Sequence, residues 1–194
     1  MNAIEKIINQ IKIDHPLETK KGWEPILRVY PETKILIIGQ APGVVTQEKN
    51  EVFLDKSGDR LREWMGVDKT RFYDSKEISI LPMDFYFPGK AKSGSGDLPP
   101  NKNIAKKYHP AIIKEMPSLE LIILLGAYAN KYYLNEHMER NLTETVRNYQ
   151  NCLPKYFPLV HPSPLNQRWE AKNPWFQSEV LPAFKKLVLD ILNK

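Results

Sequence analysis

The sequence contains almost no cysteine: Cys152 is the only one among 194 residues. A single cysteine excludes a disulfide within the chain and any zinc or iron–sulfur site built from four cysteines. Such low cysteine usage is typical of a reducing compartment. No apolar run approaches the ~20 residues that a membrane-spanning helix needs, and the amino terminus lacks the pattern of a signal peptide. We therefore expect a cytoplasmic protein that does not enter a membrane.

Glycine is also scarce, with nine residues against sixteen prolines, which favours loops of fixed conformation. Hydrophobic residues make up 42% of the chain and charged residues 26%, the balance of a soluble globular domain. The sequence has no internal repeat and no linker, so we expect one domain over residues 1–194. A net charge of +5 fits a nucleic-acid partner, although plain solubility explains the same charge.

Short apolar runs rich in β-branched residues predict four buried strands, at residues 34–39, 77–84, 119–126 and 156–160. Helical patterns lie around them, at residues 2–14, 57–65, 101–116, 127–134, 143–153 and 174–192. Ser57 and Thr143 are the predicted N-caps, Gly66 should end the helix that Ser57 begins, and Pro110 should kink or restart its helix. The alternation predicts an α/β protein, a single three-layer α/β/α domain around a four-stranded, mostly parallel central sheet.

Three loops follow the predicted strands. Residues 39–43 (GQAPG) and 161–169 (HPSPLNQRW) come directly after strands, where ligand sites form in open α/β sheets. Residues 85–100 form a long loop with three aromatic residues and with Lys90 and Lys92. A loop of this length in a compact domain is usually functional or disordered, and its composition fits a mobile surface loop equally well.

The segments GQAPG and HPSPL, with FLDKSGDRL at residues 53–61 between them, resemble the uracil-DNA glycosylase superfamily over about residues 34–170. The resemblance implies a uracil-DNA glycosylase-like fold and a monofunctional DNA glycosylase of base excision repair. Such an enzyme flips uracil or a related deaminated base out of DNA and hydrolyses its bond to deoxyribose. The expected partner is DNA containing a damaged base, and the expected state is a monomer. We expect no metal and no other cofactor, because the cysteines of the iron–sulfur branch are absent.

The resemblance also implies roles for individual residues. Phe53 would stack on the base, His161 would donate to its O2 as negative charge develops, and Leu165 would fill the gap in the duplex. The structural alternatives are a core anchor for Phe53 and ordinary loop packing for Leu165. The full set of candidates is His161, Gln40 and Asp84 as catalytic, Gly39, Gln40, Ala41 and Phe53 as base-binding, and Ser163, Pro164, Leu165 and Arg168 as DNA-binding.

Three positions depart from the family pattern. Ala41 stands where the best-known branch has a water-activating Asp, although the thermostable branch also has Ala there. Gly43 stands where the best-known branch has a Tyr that excludes the methyl group of thymine. Without that Tyr, thymine, hypoxanthine or another base is not excluded in this way. Asp84 is the nearest polar residue to a missing Asn, and it either orients water or ties down the following loop. Gln40, Asp55 and Asp84 all remain open as the group that positions water.

These departures leave two other hypotheses beside the glycosylase. One is a non-catalytic nucleic-acid or nucleobase-binding protein on the same fold, motivated by Ala41 and the missing Asn. The other is an unrelated small-molecule hydrolase whose loops imitate the motifs, which should have no affinity for DNA.

Overall fold

The computed structural model describes residues 2–92 and 96–194. Its central sheet has the strand order β2-β1-β3-β4, and all three pairings are parallel. The strands are β1 Ile35–Ile38, β2 Ile78–Ile80, β3 Leu121–Leu125 and β4 Tyr156–Leu159. Every strand residue except Tyr156 is buried, as expected for a parallel sheet covered on both faces. The predicted sheet is confirmed.

Within the described ranges, ten α-helices surround the sheet: α1 Ala3–Asp14, α2 Pro16–Lys20, α3 Val44–Lys49, α4 Lys56–Met65, α5 Lys69–Asp74, α6 Lys102–Lys114, α7 Gly126–Leu134, α8 Leu142–Arg147, α9 Gln167–Lys172 and α10 Leu181–Leu192. Short 3₁₀ helices occupy Asn135–His137, Tyr149–Cys152 and Pro164–Asn166, and Phe176–Val180 forms a π-helical segment ahead of α10. No helix of the described chain is both long enough and apolar enough to span a bilayer.

The sheet separates two hydrophobic cores, because successive residues of β1 point to opposite faces. Ile35 and Ile37 face a core that includes Leu61 of α4 and Phe184 of α10. Leu36 and Ile38 face a core that includes residues of α1 and α6. The three-layer α/β/α arrangement is therefore confirmed.

Both predicted N-caps were wrong by two residues. The cap of α4 is Asp55, whose Oδ1 accepts from the Gly58 amide at 3.0 Å, and the cap of α8 is Asn141. Asp and Asn are at least as good as Ser and Thr in this position, so the earlier residue begins each helix. Gly66 ends α4 with φ of 71°, as predicted.

The sequence predicts a kink or a restart at Pro110, and the structure shows no restart there, because α6 continues through it as one helix. Proline removes one helical hydrogen bond, to the carbonyl of the residue four positions earlier. That residue is Lys106, and both it and Pro110 are exposed. Water can therefore satisfy the freed carbonyl, and the apolar face of the helix stays packed. Pro82 lies beyond the end of β2, as the sequence requires.

Candidate active site

A cavity of about 590 Å³ opens where the two sequence-predicted loops meet. Residues 39–43 after β1 form one wall, and Phe53 and Asp55 ahead of α4 form another. His161, which follows β4, and Leu165 of the adjacent 3₁₀ helix close the third side. The cavity therefore lies at the carboxyl edge of the parallel sheet, the usual place for a ligand site in this architecture.

The first loop is held by its backbone and leaves space in the cavity. The carbonyls of Gly39 and Gln40 accept from the amides of Met83 and Asp84 at 2.9 and 3.1 Å. A Cβ placed on Gly39 or Gly43 would meet no atom within 4 Å. In the described part of the chain, the Gln40 side-chain amide has no hydrogen-bond partner, and it lines the cavity. This wall therefore offers a free amide and unfilled volume.

Phe53 is both an anchor and a wall of the cavity. Its backbone has a φ of 56°, and its carbonyl accepts from Arg62 Nη1 at 2.9 Å and from the Tyr73 hydroxyl at 2.8 Å. An ideal Cβ on Gly58 would lie 1.7 Å from the Phe53 carbonyl oxygen, so only glycine permits this approach. The ring, half-buried, packs partly on the core and partly lines the cavity. The backbone carbonyl does the anchoring, and the residue also forms part of the cavity wall.

His161 brings a neutral imidazole to the cavity. Burial of the ring lowers the pKa of His161, and the charge of Asp55 opposes that shift in part. The His161 carbonyl accepts from Asn166 Nδ2 at 2.6 Å, which fixes the backbone at the start of the loop. Neither ring nitrogen has a hydrogen-bond partner within residues 2–92 and 96–194. Both nitrogens are thus available to a ligand, and one of them carries a proton at neutral pH.

Asp84 lies behind the first loop rather than on the cavity wall. Its side chain is 5% exposed, with Oδ1 accepting from the Tyr86 amide at 3.2 Å and Oδ2 from the Asn101 amide at 2.9 Å. Burial raises the pKa of Asp84, and the two amide donors partly offset this. The carboxylate therefore joins both ends of the 85–100 loop. Of the two roles considered from the sequence, orienting water and tying down the following loop, these contacts match the second.

The second loop presents Leu165 to solvent. Leu165 is 90% exposed, at the edge of the cavity, and its amide donates to Ser163 Oγ at 3.2 Å. Arg60 of α4 donates through Nη1 to the Ser163 carbonyl at 2.9 Å and pairs with the buried carboxylate of Glu170. The loop is thus rigidly mounted on α4, while its apolar tip projects outward. Pro164 precedes the tip, and Arg168 is exposed on α9.

The 85–100 loop supplies a further wall of the cavity. Lys90 and Asp97 pair as antiparallel neighbours, with Lys90 Nζ 2.6 Å from Asp97 Oδ1, and both line the cavity. Buried Gln47 of α3 accepts from the Phe87 amide at 3.0 Å, which holds the first part of this loop. The predicted loop includes residues 93–95, which lie outside the described residues, while Lys92 is exposed.

Sequence reasoning missed three residues of this site. The pattern of apolar residues in the sequence does not reveal Asp97. This residue lines the cavity beside Lys90, with which it pairs in the folded chain. Arg60 and Glu170 are 110 positions apart, so their ion pair depends on the tertiary fold. Asp55, by contrast, was among the open candidates and does lie on the wall. Among the described residues, no three His, Cys, Asp or Glu side chains cluster as metal ligands.

Comparison with known proteins shows the family to which the chain belongs. The model of the uracil DNA glycosylase superfamily matches residues 28–185. Among solved structures, the chain is similar to the solution NMR structure of a provisionally named uracil DNA glycosylase from Methanosarcina acetivorans, at 18% sequence identity and a TM-score of 0.48. That similarity covers 82% of this chain and 93% of the other. Because the family model spans most of its length, the chain belongs to the uracil DNA glycosylase superfamily.

Proposed function

We propose that this protein binds a base flipped out of DNA in the cavity and hydrolyses its N-glycosidic bond. The base is uracil or a related deaminated base, which places the reaction in base excision repair. The observation that carries the proposal is the meeting of the Phe53 ring, a neutral His161 and an exposed Leu165 around one cavity. We further propose that the protein acts as a monomer in the cytoplasm and without a cofactor.

The cavity walls match the two needs of such a reaction. A base leaving the stack costs a few kcal/mol, and stacking on an aromatic ring such as Phe53 returns roughly 1–3 kcal/mol. The departing base carries negative charge, which a hydrogen-bond donor in a desolvated site stabilises most effectively. His161 is such a donor, because desolvation keeps its half-buried ring neutral and neither ring nitrogen has a hydrogen-bond partner in the described protein.

The second loop is suited to the duplex. Leu165 is apolar, 90% exposed and mounted on a loop that Arg60 holds, as a side chain inserted between bases requires. Ser163 and Pro164 precede it, and Arg168 follows on an exposed helical face. In our proposal Ser163, Pro164 and Arg168 contact the DNA backbone. These contacts fix the position of Leu165 along the duplex.

The first loop would hold the base edge without selecting strongly for size. The Gln40 amide can donate to a carbonyl or position water, and the peptide groups of Gly39 and Ala41 lie beside it. Open space at Gly43 admits a base larger than uracil, such as hypoxanthine. The contacts of Asp84 favour a supporting role, in which it fixes the 85–100 loop against this wall.

A second candidate function is base recognition without cleavage. Ala41 favours it, because the first loop has no carboxylate to activate water. Membership of the superfamily removes the reason to consider an unrelated small-molecule hydrolase.

The experiment that tests the proposal is a substrate panel with the purified protein in excess over DNA. Single- and double-stranded oligonucleotides carry uracil, hypoxanthine or xanthine at one position, and alkali then cleaves abasic sites. We expect an alkali-labile product from at least one of them and none from undamaged DNA. Binding without product would support the second candidate, and an absence of both would contradict each of them.

A further inference from the structure

The proposed reaction needs a group that positions water, and the first loop provides no carboxylate for it. Among the described residues that line the cavity, only Asp55 and Asp97 are acidic. Asp97 is 2.6 Å from Lys90 Nζ, so its charge is already compensated. The carboxylate of Asp84 is engaged by two backbone amides away from the cavity. Asp55 is the remaining acid with a free oxygen at the site.

The position of Asp55 is fixed by the helix that it caps. Oδ1 accepts from the Gly58 amide at 3.0 Å, which anchors that oxygen at the start of α4. Within residues 2–92 and 96–194, no hydrogen bond or ion pair reaches the other oxygen. The side chain is exposed on the cavity wall, two residues after the Phe53 ring. A carboxylate with one oxygen anchored and one free is preorganised for a ligand.

Asp55 also faces the same space as His161. Both residues line the cavity, and the negative charge of Asp55 is close enough to raise the pKa of His161 against the effect of burial. A base between the Phe53 ring and His161 would therefore place its sugar within the field of this carboxylate. Cationic character on the sugar is stabilised by a negative charge placed near it.

We infer that Asp55 is a catalytic residue of the reaction proposed above, on which this inference rests. Its free oxygen accepts a hydrogen bond from the attacking water. The bond between C1′ and the base nitrogen breaks, and its electron pair leaves with the base while His161 donates a hydrogen bond to it. The water oxygen forms the new bond to C1′, and its proton passes to the Asp55 carboxylate. Asp55 then releases the proton to solvent, and the base anion takes up one proton from solvent.

The competing interpretation is that Asp55 only caps α4, and two variants separate the roles. Asp55→Asn keeps the cap, because Asn and Asp serve about equally well there, but it removes the charge and the proton acceptor. Asp55→Ala removes both and leaves room for a small carboxylate. Asp68→Asn is the matched control, since Asp68 caps α5 by accepting from the Arg71 amide at 2.7 Å and does not line the cavity.

The test measures single-turnover base release, DNA affinity and thermal stability for these variants and the wild type. Asp55→Asn should lose roughly 100-fold or more in rate, the usual contribution of a positioned acid or base, with Tm and DNA affinity near those of the wild type. Formate should restore part of the rate of Asp55→Ala, which a mere loss of the cap would not allow. Asp68→Asn should retain the wild-type rate.

The outcomes distinguish this inference from the proposal that it rests on. A wild type that releases base together with a fully active Asp55→Asn would overturn the role of Asp55 alone. A rate loss in Asp55→Ala that formate does not restore, with Asp55→Asn unaffected, would assign Asp55 to the helix cap. A wild type that releases no base from any substrate would overturn both the reaction and the role of Asp55.

Discussion

Two histidines, His109 buried and His161 half-buried, illustrate how burial sets the chemistry of single residues in this molecule. His161 and His109 both have lowered pKa values because their rings are desolvated, His109 to about 4. The surroundings differ, however. His109 Nε2 donates to the Pro82 carbonyl at 3.0 Å, so its Nδ1 accepts from the Tyr133 hydroxyl. His161 has no such partners among the described residues, which is why it can serve a ligand while His109 supports the wall at Pro82.

His109 makes the stability of the protein depend on pH. Its pKa falls from 6.5 to about 4 on folding, so between these values the unfolded chain binds a proton that the folded chain does not. Stability should therefore fall as the pH drops from 6.5 toward 4, by up to ~1.4 kcal/mol per pH unit for this group. Denaturant unfolding of the wild type and His109→Gln at pH 7.5, 6.0 and 5.0 measures the slope.

The His109→Gln variant should show a shallower decline, because glutamine does not titrate. The matched control is His137→Gln, which changes an exposed histidine in a 3₁₀ helix and should leave the slope unchanged. Equal slopes for the wild type and His109→Gln would contradict the assignment.

Helix α4 is the element that joins the two halves of the site. Its cap is Asp55, its third residue is Gly58, and Arg62 donates to the Phe53 carbonyl at 2.9 Å. Between Gly58 and Arg62, Arg60 donates to the Ser163 carbonyl of the second loop at 2.9 Å. One rigid helix thus sets the position of the stacking ring relative to the exposed leucine, and disturbing it should affect both loops.

Gly58→Ala tests this contact between the helix and the Phe53 loop. The added Cβ would lie 1.7 Å from the Phe53 carbonyl oxygen, so the backbone must shift. We expect a loss of about 1–3 kcal/mol, as for other overpacked sites, which corresponds to a few degrees or up to about ten in Tm. Gly39→Ala is the control for stability, because its Cβ would meet nothing within 4 Å. A Gly58→Ala variant as stable as Gly39→Ala would contradict the observed packing.

The elements also show which parts of the fold the sequence predicts. The four strands were found because each is a short, continuous apolar run, and a sheet buried on both faces leaves that pattern. Helix α3 was missed because it has only six residues and none of its apolar side chains is buried. Its buried side chain is Gln47, which donates to the Glu24 carbonyl at 2.8 Å and accepts from the Phe87 amide. A buried polar residue that bridges distant loops leaves no periodic signal.

The candidate site was predictable only where a motif carried it. The loops around His161 and Gly39 were recognised from their residues, and the structure brings them to one cavity. The assignment of Asp84 to catalysis stays a prediction, although its two backbone partners favour a role in the loop. Asp97 and Arg60 enter the site through pairings that only the folded chain brings about.

At the scale of the whole molecule, the fold brings most of the candidate groups to one cavity at the carboxyl edge of the sheet, while Asp84, Pro164 and Arg168 lie outside its lining. Two cores on opposite faces of the sheet fix the strands, and the loops beyond β1 and β4 meet across the cavity at their carboxyl ends. The central claim is that this cavity breaks a glycosidic bond through His161 rather than only holding a base.

The most direct test of that claim is single-turnover base release by His161→Ala, measured together with its affinity for the same DNA. Removing one donor to a developing anion typically costs about 10²–10³-fold in rate. We expect a loss of that size with DNA affinity within a few-fold of the wild type, because Leu165 and the second loop remain in place. A His161→Ala variant that releases base at the wild-type rate would contradict the account.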